Sequence, residues 1–216
     1  MTAVRPSLAP VVGEFVRLDP MLPSDIPALY AALGTPEVFA GGWGGGPAGY
    51  TRDLAEFTAF AERYFAWDRS NVYALRLVGG GHDGLLVGTT TLGDFDLARE
   101  HAHIGWTAYD PRTWGTAVNV EAKLLLLGTA FDHGFGRVKL QADVLNDRSR
   151  AAIAKMGARF EGIVRRDVRR ADGSWRDTAM FSVIVDEWPA VREGLESRLA
   201  AFARQPVVLR AAAVGR

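Results

Sequence analysis

The segment best suited to chemistry runs Ile104-Gly105-Trp106-Thr107-Ala108-Tyr109-Asp110-Pro111-Arg112-Thr113-Trp114-Gly115-Thr116-Ala117-Val118-Asn119: a β-like stretch, a turn of small residues, and a helix start. The unpaired amides of a first helical turn converge on one point, and the helix dipole adds positive potential there. Gly115 and Ala117 leave room for a phosphate to approach that backbone, so a pyrophosphate suits the turn. The spacing Arg112-x-x-Gly115-x-Ala117 equally describes a purely structural helix start. Farther on, Asn146 and Ser149 read either as an N-cap with a first-turn serine or as two polar groups turned toward a ligand. His103 is a candidate base, with Asp94 and Glu100 nearby in the chain, and has the alternative reading of a solvated strand residue.

Composition removes other chemistries. Cysteine is absent, so disulfides, thiolate metal sites and a cysteine nucleophile are all excluded. Four histidines, scattered at His82, His101, His103 and His133, are too few for a metal site, and no metal is expected. Lys+Arg and Asp+Glu are both 25, which leaves no global field to gather nucleic acid or an anionic membrane; any anion is held locally. No stretch approaches the ~20 apolar residues of a membrane span, and Met1 to Pro10 lacks the apolar run of a signal peptide. The expectation is a cytoplasmic protein with neither nucleic-acid nor membrane partner.

The elements that must position these residues can be read in order. A chain of 216 residues, 48% hydrophobic, suits one domain over 1–216. Strands are predicted over 14–18, 71–78, 85–95, 101–109, 138–144, 160–169 and 174–185, with turn chemistry at Gly79-Gly80-Gly81 and Ala171-Asp172-Gly173. Helices are predicted over 25–33, 51–67, 115–133, 147–156 and 186–204. In the last, Trp188, Val191, Leu195 and Leu199 form a stripe that suits a core or a second copy of the chain. Gly34-Thr35-Pro36 reads as a turn. Gly41-Gly42-Trp43-Gly44-Gly45-Gly46-Pro47 reads as a mobile loop, either a surface connection or a lid whose apolar contact with substrate is Trp43.

Four phrases in this order, Trp-Gly-Thr-Ala-Val-Asn-Val-Glu-Ala-Lys from Trp114, Asn146 to Ala152, Met156 to Arg165 and Asp172 to Thr178, resemble the GCN5-related N-acetyltransferases (GNAT). The later phrases resemble the branch of ribosomal-protein N-terminal acetyltransferases, RimJ and RimL. The resemblance covers about 13–199 and leaves 205–216 as a tail. It implies an α/β (α+β) fold: a mixed, mostly antiparallel sheet splayed between its fourth and fifth strands, with helices on both faces. It implies acetyl-CoA as co-substrate, lying between the strand that ends at Tyr109 and the strand from Val138. The backbone of Trp106, Thr107 and Ala108 would pair with the pantetheine arm, and the amides of Gly115, Thr116, Ala117, Val118 and Asn119 would hold the pyrophosphate, with Arg112 adding a charge-assisted contact. Asn146 and Ser149 would face the arm near its sulfur, with Ser149, or Tyr109 in its place, protonating the departing thiolate. Ala117 departs from the second glycine common in this turn and narrows it by a methyl group.

Such an enzyme needs a neutral amine. An α-amine of pKa ~7.7–8.0 is about one-tenth neutral at pH 7, against roughly one lysine in 2,500, so a site without an evident strong base suits an α-amine. An N-terminal acetyltransferase is the first expectation; a small-amine acetyltransferase, marked by an acidic pocket around the glycine-rich loop, and a non-catalytic acetyl-CoA sensor are the alternatives, with homodimerisation open. Glu121 is read as structural, favoured by the helix dipole, and Arg176 beside Asp177 as pairing with Arg165 or Glu161 across strands.

Overall fold

The computed structural model describes residues 2–211. One sheet of eight strands runs in the order β1-β2-β3-β4-β5-β6-β8-β7. Its members are β1 (Val11–Val12), β2 (Val16–Pro20), β3 (Asn71–Leu77), β4 (Leu86–Asp96), β5 (His101–Tyr109), β6 (Arg137–Asp143), β7 (Arg159–Arg169) and β8 (Trp175–Ile184). Every pairing is antiparallel except β5 with β6. The implied mixed α/β sheet is therefore present, and its splay lies between the fourth and fifth of the predicted strands. The numbering moves by one because Val11–Val12 pairs with Arg17–Leu18 as a two-residue strand, too short to show alternation.

Helices α1 (Ile26–Leu33), α2 (Pro36–Ala40) and α3 (Leu54–Tyr64) cover one face, and α4 (Ala117–Asp132), α5 (Asp147–Lys155) and α6 (Trp188–Ala200) the other. Strand alternation sends neighbouring side chains to opposite faces. Ala74 and Ala108 thus join Leu29, Phe39 and Phe57 in one core, while Leu75 and Ile104 join Leu126, Ile153 and Leu195 in the other. The stripe on α6 belongs to this second core: Trp188, Val191 and Leu195 are buried, and the Trp188 ring stacks on Phe131 of α4 at 5.3 Å.

Several boundaries differ from expectation for local reasons. β2 continues through Asp19 and Pro20, which face Ala74 and Tyr73 of β3 instead of ending the strand. Pro36 opens α2 at N1, where its missing amide is no loss, although the sequence there reads as a turn. Glu121 is structural, but not through the dipole. Its buried carboxylate leaves α4 and accepts the amides of Glu14, Phe15 and Val16, each at 2.7 Å, fastening the start of β2 to the helix. The tail returns to the body: Val207 is buried in the α4-side core, and the Arg210 amide donates to Arg112 O at 3.0 Å. The remainder of the predicted tail, 212–216, lies outside the described residues. No helix among the described residues is long and apolar enough to cross a membrane.

Candidate active site

β5 and β6 pair only from His101↔Arg137 to His103↔Lys139 and then diverge. From Ile104 to Tyr109 the edge of β5 that faces the gap has no strand partner among the described residues, which makes it a template for an extended ligand. The opposite edge stays on β4 through a bulge: Thr89↔Ala108 and Thr91↔Gly105 leave Thr90 against both Trp106 and Thr107. Trp106 sits there at φ 52°, a left-handed conformation that a bulky residue holds only when its surroundings impose it. Two contacts do so, Trp43 Nε1 donating to Trp106 O at 3.2 Å and the Thr90 and Thr107 hydroxyls sharing a hydrogen bond at 2.8 Å.

The turn after β5 is built on Asp110, which is buried and accepts the Arg112 amide at 2.9 Å and its guanidinium at 2.6 Å. This draws Arg112 back onto Asp110, and it does not reach the gap. Gly115 takes φ 77°, and Thr116 Oγ1 accepts the Val118 amide at 3.4 Å to cap α4. Ala117 and Val118 face the core, so only backbone at this turn is available to a ligand. Arg210 reaches back from the tail, and a Cβ at Gly115 would lie 2.9 Å from its Nη2. Across the gap, the Arg148 guanidinium stacks 3.4 Å over the Trp114 ring.

The glycine-rich segment is wound and packed, contrary to the expected mobile loop. Trp43–Gly45 and Pro47–Gly49 form 3₁₀ turns with Gly42, Gly44, Gly45 and Gly46 at positive φ. Trp43 is buried among Phe39, Phe57, Phe60 and Tyr64. The segment is tied down at both ends, by Asn146 Nδ2 donating to Gly41 O and by Ala171 N donating to Gly45 O at 3.0 Å.

A cleft of about 460 Å³ fills the gap. Of the residues expected to act, Trp43, His103, Trp106, Thr107, Ala108, Tyr109, Gly115, Asn119, Asn146 and Ser149 line it; Arg112, Thr116, Ala117 and Val118 do not. Residues 16–159 match the family described as acetyltransferase (GNAT) domain. The chain belongs to the GNAT acetyltransferase family. A GCN5-related N-acetyltransferase from Brucella melitensis aligns with TM-score 0.80 and 27% identity over 92% of this chain and 88% of its own. A probable GNAT acetyltransferase from Chromobacterium violaceum ATCC 12472 aligns with TM-score 0.72 and 29% identity over 88% and 92%. Mycobacterium smegmatis RimJ in complex with CoA-disulfide shares the fold, with TM-score 0.66 and 22% identity over 88% and 90%. No curated protein matches the sequence.

This GNAT enzyme is therefore an acetyl-CoA-dependent N-acetyltransferase, and the cleft suits that co-substrate. Besides the unpaired β5 edge, the Tyr109 hydroxyl is buried without a partner among the described residues, and burial pushes its pKa well up, so it remains a proton donor. Asn146 is an N-cap, its Oδ1 accepting the Ser149 amide at 2.9 Å while its Nδ2 donates to Gly41 O, and the residue lies in the cleft wall.

His103 is buried rather than solvated. Its Nδ1 lies 2.9 Å from Asp94 Oδ2, and its Nε2 has no partner among the described residues. The hydrogen bond to His103 is the chief reason Asp94 is held low, at about 2, and burial lowers the His103 pKa. We therefore assign the proton to Nδ1, where Asp94 accepts it, leaving a lone pair on Nε2. Sequence reasoning missed Lys123. It is buried, its Nζ donates to Thr107 Oγ1 at 3.1 Å beneath the bulge, and burial lowers its pKa to about 7. A lysine within Glu121-Ala122-Lys123-Leu124 ordinarily marks a solvent face; only the burial of α4 on nearly all sides shows otherwise.

Proposed function

We propose that this acetyltransferase acetylates the α-amine at the amino terminus of a protein or peptide, by direct attack of the neutral amine on the thioester. The observation that carries this reading is the charge of the cleft. Lys123, Arg148, Arg169, Arg170 and Arg176 line it, and among the described residues no aspartate or glutamate does; Arg170 is paired with Asp143 and burial lowers the Lys123 pKa to about 7, which leaves Arg148, Arg169 and Arg176 as the lasting positive charges. The acidic pocket that would recruit a polyamine or an aminoglycoside is missing around the glycine-rich segment, so a polycation would meet like charge.

In this reading His103 takes the amine proton through Nε2, with Asp94 fixing the tautomer, and its lowered pKa keeps the imidazole neutral at pH 7. A weak base of this kind suffices for an α-amine, about one-tenth of which is already neutral at pH 7. Acetyl-CoA supplies an activated acyl group as its thioester. The β5 backbone from Trp106 to Ala108 would hold its pantetheine arm, and the amides from Gly115 to Asn119 its pyrophosphate. Ser149, or Tyr109 with its unpartnered hydroxyl, would return a proton to the thiolate. Trp43 would present an apolar edge to the acceptor. The resemblance of the later sequence phrases to the RimJ and RimL branch points the same way.

The test is thiol release from acetyl-CoA with matched acceptors. Peptides with a free amino terminus should release thiol, and the same peptides blocked at the α-amine but carrying lysine should not. Faster release with spermidine or an aminoglycoside than with any peptide would overturn the reading.

A further inference from the structure

The acceptor end of the cleft carries more positive charge than the protein itself neutralises. β8 pairs with β6 only as far as Thr178↔Asp143. Arg176 stands two residues beyond, on the face of Thr178, whose Oγ1 accepts its Nε at 3.1 Å. It thus extends past the end of β6 into the gap, half-buried, on the side where it feels Tyr64 of α3. The pairings expected for it are absent: Glu161 binds Arg137, and Asp177 accepts the Arg166 amide. Asp143, the carboxylate that acts on it most strongly, is already engaged. Its Oδ2 accepts Arg170 at 2.6 and 3.2 Å, and its Oδ1 accepts the Leu145 amide at 2.9 Å. Arg169 is stacked on Trp175 at 4.4 Å. Among the described residues, no carboxylate forms an ion pair with Arg176.

Asp143 and Asp167 act on Arg176 only through space; a partly desolvated guanidinium without a direct ion-pair partner is costly, and its planar fork matches a carboxylate in bidentate geometry. His103 and the glycine-rich segment occupy the same face as Tyr64, whereas the α4 amides suited to phosphate lie toward the other helix layer. Building on the α-amine reading above, we propose that the acceptor carries a carboxylate close to its reacting amine and that Arg176 receives it. The carboxylate comes from an acidic first residue of a peptide or from the α-carboxylate of a very short acceptor.

The experiment is equilibrium binding by calorimetry to the CoA-saturated enzyme, with turnover followed separately. One pair of probes is Asp-Ala-Ala-Ala-amide against Asn-Ala-Ala-Ala-amide; the other is Ala-Ala against Ala-Ala-amide. In at least one pair the acid should bind about tenfold more tightly than its neutral isostere, as a charge-assisted contact implies. Which pair responds names the source of the carboxylate. In Arg176→Gln the ratio should fall below about twofold, and in Arg176→Lys, which keeps the charge but not the fork, it should lie between; thermal unfolding of both variants reports their folding. Equal affinities within both pairs, or a preference that survives Arg176→Gln, overturns the proposal. Thiol release that fails with every amine would sink the α-amine reading while leaving this binding result to stand or fall by itself.

Discussion

At the scale of single residues, His103 and Lys123 place two ionisable groups at the root of the same gap, each shifted by burial but with opposite consequences. With Nδ1 held by Asp94, His103 acts as a base only when neutral, and burial lowers its pKa. At saturating acceptor the acid limb of kcat should therefore lie below the usual imidazole value near 6.5, with activity lost as pH falls through it, whereas kcat/KM also carries the ionisation of the free α-amine at ~7.7–8.0. His103→Gln should lower kcat/KM by about 10²–10³ and flatten that limb; a variant that kept the native pH profile would remove His103 from the reaction. For Lys123 the folded pKa, about 7, lies below the unfolded 10.5. The unfolded chain holds the extra proton between those values, so native stability rises with pH across that window and the penalty is full below about 7. Lys123→Met should then be more stable than the native chain by about 1–4 kcal/mol at pH 6, with the difference in melting temperature closing toward pH 10. His103 was visible in the sequence as a candidate, because histidine is rare here. Asp94 stood beside it as one of two nearby carboxylates, but the choice of Asp94 over Glu100 and the burial of the ring were not visible, because both depend on how β4 turns back into β5.

At the scale of elements, most of the framework was legible and the irregular pieces were not. Alternation and helix stops gave β5 to the residue and the long helices to within a few, because regular structure is written in a repeating pattern. The glycine-rich segment was misread because glycine count signals entropy, while its actual use is close approach: a Cβ at Gly49 would sit 2.2 Å from Gly44 O, and one at Gly44 would sit 2.8 Å from the Phe39 ring. Gly44→Ala, at φ 63°, should therefore disturb the Trp43 packing and raise KM for the acceptor more than for acetyl-CoA, which steady-state kinetics with each varied in turn would resolve. The bulge at Trp106 was equally hidden, since no residue type announces an extra residue opposite Thr90. Glu121 sits between these cases. Its charge suggested a structural role, but the three amides it accepts lie more than 100 residues away in the chain. Glu121→Ala should leave those donors without a partner and cost about 3–5 kcal/mol in urea unfolding. A loss under about 1 kcal/mol would mean that water replaces the carboxylate.

At the scale of the whole molecule, the site is a consequence of strand order. Among the described strands only β5 and β6 are parallel, joined by a crossover through α4, and their separation after His103 opens a passage between the two helix layers. One layer offers the first turn of α4, the other offers His103, Trp43 and Arg176, so two substrates can meet from opposite faces. The tail completes the α4 side. Val207 is buried in the core, the Arg210 amide binds Arg112 O, and the Arg210 guanidinium stands over Gly115, although nothing in the weak patterning of 206–211 announced such a strap. If that guanidinium contributes to the potential of the phosphate turn, Arg210→Ala should weaken CoA binding about three- to tenfold at low salt. The difference should shrink as ionic strength rises, because an exposed cation is screened within about 10 Å at 0.1 M salt. Its melting temperature should stay native, whereas Val207→Ala should lower it, since that change removes buried apolar surface. Calorimetry of CoA binding at two ionic strengths, paired with thermal unfolding, separates the two roles: unchanged affinity in Arg210→Ala alongside a destabilised Val207→Ala would make the tail a cover for the core and leave the phosphates to the amides of α4.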